Sequence, residues 1–264
     1  MTQAVLTDIK NGIATVTLNR PDKKNAMSFE MMTQIVEAAE NLRHTDKLRA
    51  VILTGAGGCF CSGIDVGNLM AAAQDMAGIR ARMLNPTTHA PANEFQAPAT
   101  IWATLDVPVI AAIQGVCFGA GAQLALGADF RIAAPNSRFA IMEAKWGLIP
   151  DMGLTNSLPK LMRADQAMDL IMTGRVLDAP EALSVGLLTR LADDPMAAAQ
   201  EFTAQLAAKS PDALAASKKL VNGTWGNATD GLKLEAALQE QIMGRPNQME
   251  MVAASLGKRA PNFG

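Results

Sequence analysis

The sequence predicts an α/β fold over residues 1–195 and an all-helical region over residues 196–264. Short β-prone runs alternate with helix-periodic stretches through the first 190 or so residues, which is the pattern of an α/β core. Beyond Pro195 the composition shifts to Ala, Gln, Glu and Lys at helical spacing. The length of 264 residues suffices for one sizeable buried core with a smaller appendage.

Ala4 to Ile9 and Ile13 to Leu18 are β-prone runs separated by Lys10-Asn11-Gly12, a turn signal, and together predict a hairpin. A polar loop follows, Arg20-Pro21-Asp22-Lys23-Lys24-Asn25. Ser28 is placed to cap the next helix, in which Met31 or Met32, Ile35, Ala38 or Ala39, and Leu42 are spaced for one buried face. Ala50 to Leu53 reads as a compact strand ending in Thr54-Gly55-Ala56-Gly57-Gly58, where paired glycines permit a sharp turn. From Leu69 to Ala99 the periodicity is weak and three prolines intervene, which predicts a short helix and then an irregular segment. Val107 to Ile113 is a fully apolar strand, Gly119 to Leu126 a small-residue helix, and Phe130 to Ala133 and Arg138 to Ala140 are further strands. Helices are expected over Met196–Lys209, Asp212–Val221, Gly231–Ile242 and Gln248–Leu256.

Composition excludes several classes. Net charge is −2, with an isoelectric point near 5.7, so nucleic acid is not an expected partner. No apolar run reaches the roughly 18 residues that span a bilayer, and the first ten residues lack the form of a signal peptide, so no membrane partner and a cytoplasmic location are the expectations. Cys59, Cys61 and Cys117 are too few for a disulfide framework. Neither a second pair nor a nearby histidine completes Cys59-x-Cys61, so no metal is expected. The two histidines are His44, at the end of a charged helix, and His89, in a Pro/Thr/Ala-rich loop. With no tyrosine and no G-x-S-x-G elbow, acid–base work falls to carboxylates.

Two glycine-bearing segments can present backbone N–H groups to a ligand. One is Cys61-Ser62-Gly63-Ile64-Asp65; the other is Gly115-Val116-Cys117-Phe118-Gly119-Ala120-Gly121-Ala122-Gln123, which opens a helix after the apolar strand. Free N–H groups at such points stabilise developing negative charge, and losing one donor of a converging pair typically costs ~3–4 kcal/mol of transition-state stabilisation. The alternative is that these glycines serve only tight turns and helix packing. Gly119-x-Gly121 lacks the third glycine of a dinucleotide fingerprint.

These residues also carry a family resemblance. Phe60-Cys61-Ser62-Gly63-Ile64-Asp65 resembles the F-x-[AS]-G-x-D element of the crotonase (enoyl-CoA hydratase/isomerase) superfamily. Val107 to Gly115, running on through Gly119 to Asp129, resembles its central signature, and Arg138-Phe139, Glu143, Gly147-Leu148-Ile149-Pro150 and Thr173-Gly174-Arg175 follow in order. The resemblance implies a spiral of ββα turns, a C-terminal helical region used in oligomerisation as a trimer or hexamer, and an acyl-CoA thioester substrate with no separate cofactor. It implies that the N–H groups of Ile64 and Ala120 hold the thioester oxygen, Ala120 standing where many members have glycine. It also implies that Lys23, Lys24, Ala26, Ser62, Gly63, Asp65, Val66 and Gly119 border the CoA chain.

Hydratases of the superfamily use two glutamates; here the positions hold Gln123 and Glu143. An amide neither gives nor takes a proton at neutral pH, so two-glutamate hydration is not expected. Asp151 resembles an acid of the dienoyl-CoA isomerases, and Glu143 with Asp151 can carry protons for a double-bond shift. Alternatives stand beside each assignment. Asp151 can be a helix N-cap, Glu143 an exposed strand-end carboxylate, Gln123 a surface amide, Lys23 and Lys24 charges on a solvated loop, and Asp65 and Asp129 structural ties. The sixteen methionines read chiefly as core filling, while Trp102 and Trp146 are candidates to border an acyl chain. Hydrolysis or decarboxylation of a CoA thioester, and a non-catalytic CoA-binding subunit, remain alternative functions.

Overall fold

The structure is a computed structural model that describes residues 3–88, 91–225 and 228–259. His89 lies outside the described residues. The expected hairpin forms from β1 (Val5–Lys10) and β2 (Ile13–Leu18). Its two-residue turn places Asn11 and Gly12 at φ 52° and 76°, which matches the twist of the strands. A Cβ on Gly12 would also meet the Lys47 carbonyl at 2.7 Å, so glycine is required there twice over.

The remaining strands are β3 (Ala50–Gly55), β4 (Val109–Ile113), β5 (Val116–Phe118), β6 (Phe130–Ala133), β7 (Arg138–Ala140), β8 (Leu177–Asp178) and β9 (Arg190–Leu191). They make a six-stranded sheet in the order β1-β2-β3-β4-β6-β9 and a three-stranded sheet in the order β5-β7-β8. Beyond the hairpin, the large sheet is parallel throughout. The chain steps from β4 in the large sheet to β5 in the small one, and again from β6 to β7, so it winds as a spiral of paired strands with helices between. All five β4 residues are buried, as a parallel strand covered on both faces must be.

Helix Phe29–Arg43 starts at Ser28, whose Oγ accepts from the Met31 N–H at 3.1 Å, and it buries Ile35 and Leu42 together with both members of each alternative pair, Met31 with Met32 and Ala38 with Ala39. The segment from Leu69 to Ala99 is more regular than its pattern suggested. After helix Val66–Ala72 a second helix runs Met76–Leu84, capped by Asp75, whose carboxylate accepts from the Gly78 N–H. Only Ile79 and Met83 of this helix are buried, too few contacts with the core to leave a readable period. Tertiary contact holds it: Arg80 Nη2 donates to the Met243 carbonyl at 2.8 Å.

Four helices complete the chain: Pro195–Ala207, Pro211–Thr224, Ala228–Ile242 and Pro246–Leu256. Three begin one or two residues before the expected start, on a proline. Proline lacks the N–H that would go unbonded at a first helical position, so it opens helices as readily as it breaks them. Helix Pro195–Ala207 packs on the large sheet, with Ala199 buried among Ile52, Ile110 and Ile132, and Phe202 edge-on to Phe130. The last two helices fold back over the core. Gln96 Nε2 donates to the Leu232 carbonyl at 2.6 Å, and Ser255 Oγ donates to the Lys145 carbonyl at 2.8 Å. No helix of the described residues is long and apolar enough to cross a membrane.

Candidate active site

The two glycine-bearing segments are joined by backbone pairing. Cys61 N–H donates to the Val116 carbonyl and Phe118 N–H to the Cys61 carbonyl, each at 3.0 Å. Gly63 (φ 105°) and Gly119 (φ 50°, ψ −118°) adopt conformations closed to other residues, immediately before Ile64 and Ala120. A Cβ built on Gly119 would lie 3.4 Å from Glu143 Oε1 and 3.8 Å from Gly63 Cα, so the two turns and the carboxylate converge. Gly121 is needed for closeness of another kind, because a Cβ there would sit 2.5 Å from that of Cys61. Ala120 is the first residue of helix Ala120–Leu126, where an N–H has no intrahelical acceptor. Neither it nor the Ile64 N–H donates within the protein among the described residues.

These groups open on a cavity of about 650 Å³. Ile64, Gly119, Ala120, Glu143 and Asp151 line it, and so do Lys23, Ala26, Ser62, Gly63, Asp65 and Val66. Two expected residues do not. Lys24 is exposed and contributes backbone instead, its carbonyl accepting from the Ser62 N–H at 3.0 Å. Gln123 is 2% exposed and reaches the cavity only through Glu143. Trp146 lines the cavity; Trp102 is fully buried in the core, its Nε1 donating to the Pro98 carbonyl at 2.8 Å. Met32, Met83, Met142, Met152 and Met243 give the walls a flexible apolar surface, so these methionines do more than fill the core.

Glu143 begins the short turn Glu143–Trp146. Its Oε1 accepts from Gln123 Nε2 at 2.7 Å, while Gln123 Oε1 accepts from the Met152 N–H at 2.9 Å. That second bond fixes which way the Gln123 amide faces. Glu143 Oε2 is buried with no partner, although the residue as a whole keeps some accessible surface. Burial raises the carboxyl from 4.5 to about 7, against the pull of backbone N–H groups and Gln123. Asp151 is half-buried two residues before Gly153, which itself occupies the N-cap position of helix Leu154–Ser157.

The loop at the cavity edge is tied down by residues that sequence reasoning passed over. Asn25 is fully buried at φ 54°: its Oδ1 accepts from the Arg20 N–H, and its Nδ2 donates to the carbonyls of Ala56 and Cys59. Arg20 pairs with Asp65 at 2.7 Å and donates to the Ala26 carbonyl. Burial alone would raise the Asp65 carboxyl, but Arg20 and the Gly67 N–H outweigh it and hold it below its usual range. Asp65 thus caps helix Val66–Ala72 as a structural tie while also bordering the cavity. Asp129 ties likewise, accepting from the Val109 N–H and pairing with the half-buried Lys218. The other missed residue is Gln239, on helix Ala228–Ile242, which reaches the cavity from the far end of the chain. Nothing in that Gln- and Glu-rich helix marks it out.

The cysteines are buried near this site, and burial pushes Cys61 up to about 12 and Cys117 well above its usual value, so both stay thiols. Among the described residues, no three His, Cys, Asp or Glu side chains group as metal ligands.

The pattern that defines the enoyl-CoA hydratase/isomerase family matches residues 8–264. The chain belongs to this family. As a member of the crotonase superfamily it is an enzyme of CoA thioesters. Its relatives include a 1,2-epoxyphenylacetyl-CoA isomerase of Escherichia coli, 35% identical over 100% of this chain and 99% of the relative. A probable enoyl-CoA hydratase of Mycobacterium leprae is 34% identical over 98% and 97%. Among solved structures, an enoyl-CoA hydratase from Mycobacterium avium superposes with a TM-score of 0.84 at 30% identity, covering 100% of both chains. An enoyl-CoA hydratase/isomerase from Pseudoalteromonas atlantica gives 0.84 at 28%, covering 99% of this chain and 100% of the other.

Proposed function

We propose that this family member shifts a carbon–carbon double bond along the acyl chain of a CoA thioester, with Glu143 and Asp151 as proton carriers. The observation that carries the reading is the state of Glu143. The oxygen nearest the Gly119 turn is held by Gln123, the other is buried and unpartnered, and burial raises the carboxyl to about 7. A base so poised exchanges protons readily at neutral pH. In the reaction a C–H bond of the acyl chain breaks, its proton passes to one carboxylate, and its electron pair delocalises as a dienolate onto the thioester oxygen. The N–H groups of Ile64 and Ala120, free of protein acceptors among the described residues, receive that charge without reorganisation. The second carboxyl returns a proton at a different carbon. CoA enters as part of the substrate, along Ala26 and Ser62–Val66, with Lys23 at the rim for a phosphate.

Isomerisation is favoured over hydration by Gln123. Its oxygen is engaged by the Met152 N–H, its nitrogen donates to Glu143, and it does not line the cavity, so it offers nothing to take a proton from water. Assembly through the C-terminal region is part of the proposal, supported by the exposed apolar side chains of Trp225, Met249 and Leu256 on it; sedimentation at equilibrium tests for a trimer or hexamer. The test of function is to mix the protein with 3-enoyl- and 3,5-dienoyl-CoA and follow the conjugated absorbance. Asp151→Asn should slow the double-bond shift by about 100-fold or more, while Glu143 still exchanges solvent deuterium into the substrate. An unchanged isomerisation rate would remove Asp151 from the mechanism.

A further inference from the structure

Gln239 is 2% exposed, yet its side chain forms part of the cavity wall. The Ile149 N–H approaches its amide at 3.3 Å, and only the oxygen can accept it. Oε1 therefore faces Ile149 and Nε2 is left to the other side. No acceptor meets Nε2 among the described residues. Nor is it sealed away, since among the described residues the fully covered unpartnered side-chain atoms are Arg80 Nε and Glu143 Oε2. The accessible part of this amide therefore opens on the cavity.

Apolar side chains stand beside it. Met243, one helical turn on, and Leu148, next to Ile149, line the same cavity with apolar atoms. A buried amide with an unpaired N–H in such a wall is costly unless a ligand completes it. Through Ile149 the amide belongs to the side of the cavity that carries Asp151, not to the rim formed by Lys23 and Ala26. We infer that Gln239 selects substrate by donating a hydrogen bond to an oxygen on the acyl group, so that the preferred CoA thioesters carry a hydroxyl, carbonyl or ether oxygen there. This rests on the acyl-CoA reading above and adds a specificity determinant that takes no part in the proton transfers.

Binding to the full-length protein, measured by calorimetry, tests the assignment with hexanoyl-CoA and its 3-hydroxy, 5-oxo and 6-hydroxy derivatives. At least one oxygenated thioester should bind about tenfold more tightly than hexanoyl-CoA, since a site built around a polar partner discriminates against its absence. Gln239→Glu keeps an oxygen for the Ile149 N–H and removes the donor, and Gln239→Leu removes both; in each the ratio should fall below about threefold. Equal affinities in the wild type, or a preference that survives both substitutions, would overturn the inference. So would losses in Gln239→Leu alone that are uniform across the four thioesters, which would make the residue only an anchor for Ile149. Failure of the wild type to bind any of the four would instead overturn the acyl-CoA reading itself.

Discussion

Glu143→Gln isolates the proton that the proposed chemistry depends on. The amide keeps the shape of the carboxyl, leaves an oxygen for Gln123 Nε2 to donate to, and cannot ionise. In the wild type the folded-state carboxyl stands at about 7 against an ordinary 4.5. Below pH 4.5 the group is protonated whether the chain is folded or not, and its neutral form keeps the fold at full stability. As pH rises through 4.5 the unfolded chain releases this proton while the folded chain holds it, so stability is lost until about 7 and is then level. At about 1.4 kcal/mol per pH unit the loss is about 3 kcal/mol. Urea unfolding of both proteins at steps from pH 4.5 to 8.5 measures it, and subtracting wild type from variant cancels the other titrating groups. The difference should favour Glu143→Gln increasingly with pH, by about 3 kcal/mol across the range. Proton exchange into substrate should fall by about 100-fold or more in the variant. A difference that stays flat with pH would refute the raised carboxyl, and with it the idea of a base poised near neutrality.

Three further substitutions separate the parts of the site. Ala120→Pro deletes the N–H at a first helical position that tolerates proline, so kcat should fall by about 100-fold or more while circular dichroism keeps its helical signal. Gln123→Glu sets two carboxyls where a 2.7 Å hydrogen bond now stands, so one proton must be shared and the rise of activity with pH should move above its wild-type midpoint; an unmoved profile would mean that Gln123 does not face Glu143. Asn25→Ala strips the hydrogen bonds to Arg20, Ala56 and Cys59 and asks alanine to hold φ 54°, and should lower stability by about 3 kcal/mol in urea titration.

What the sequence reveals follows the range of the forces involved. The Asn11-Gly12 turn, the Ser28 cap and the apolar face from Met31 to Leu42 are decided by neighbours in the chain, and each is legible as such. The glycines before Ile64 and Ala120 are legible because their backbone angles exclude other residues. Helix Met76–Leu84 is not, since contacts from the far end of the chain hold it in place. Trp102 and Trp146 look alike in sequence, yet one is sealed in the core and the other borders the cavity, which only the packing of distant helices decides. Gln239 lies 90 residues from Ile149, and its neighbours give no reason to single out that glutamine.

The cavity draws its walls from both ends of the chain. Gly63, Gly119, Glu143 and Asp151 come from the spiral, whereas Gln239 comes from helix Ala228–Ile242, which closes over it, and Met243 from the turn just after that helix. On the proposed assignments, substitutions along that closing helix would retune which acyl groups are accepted while the proposed proton carriers stay untouched, so one chemical engine would acquire a new diet by changes confined to a single late segment.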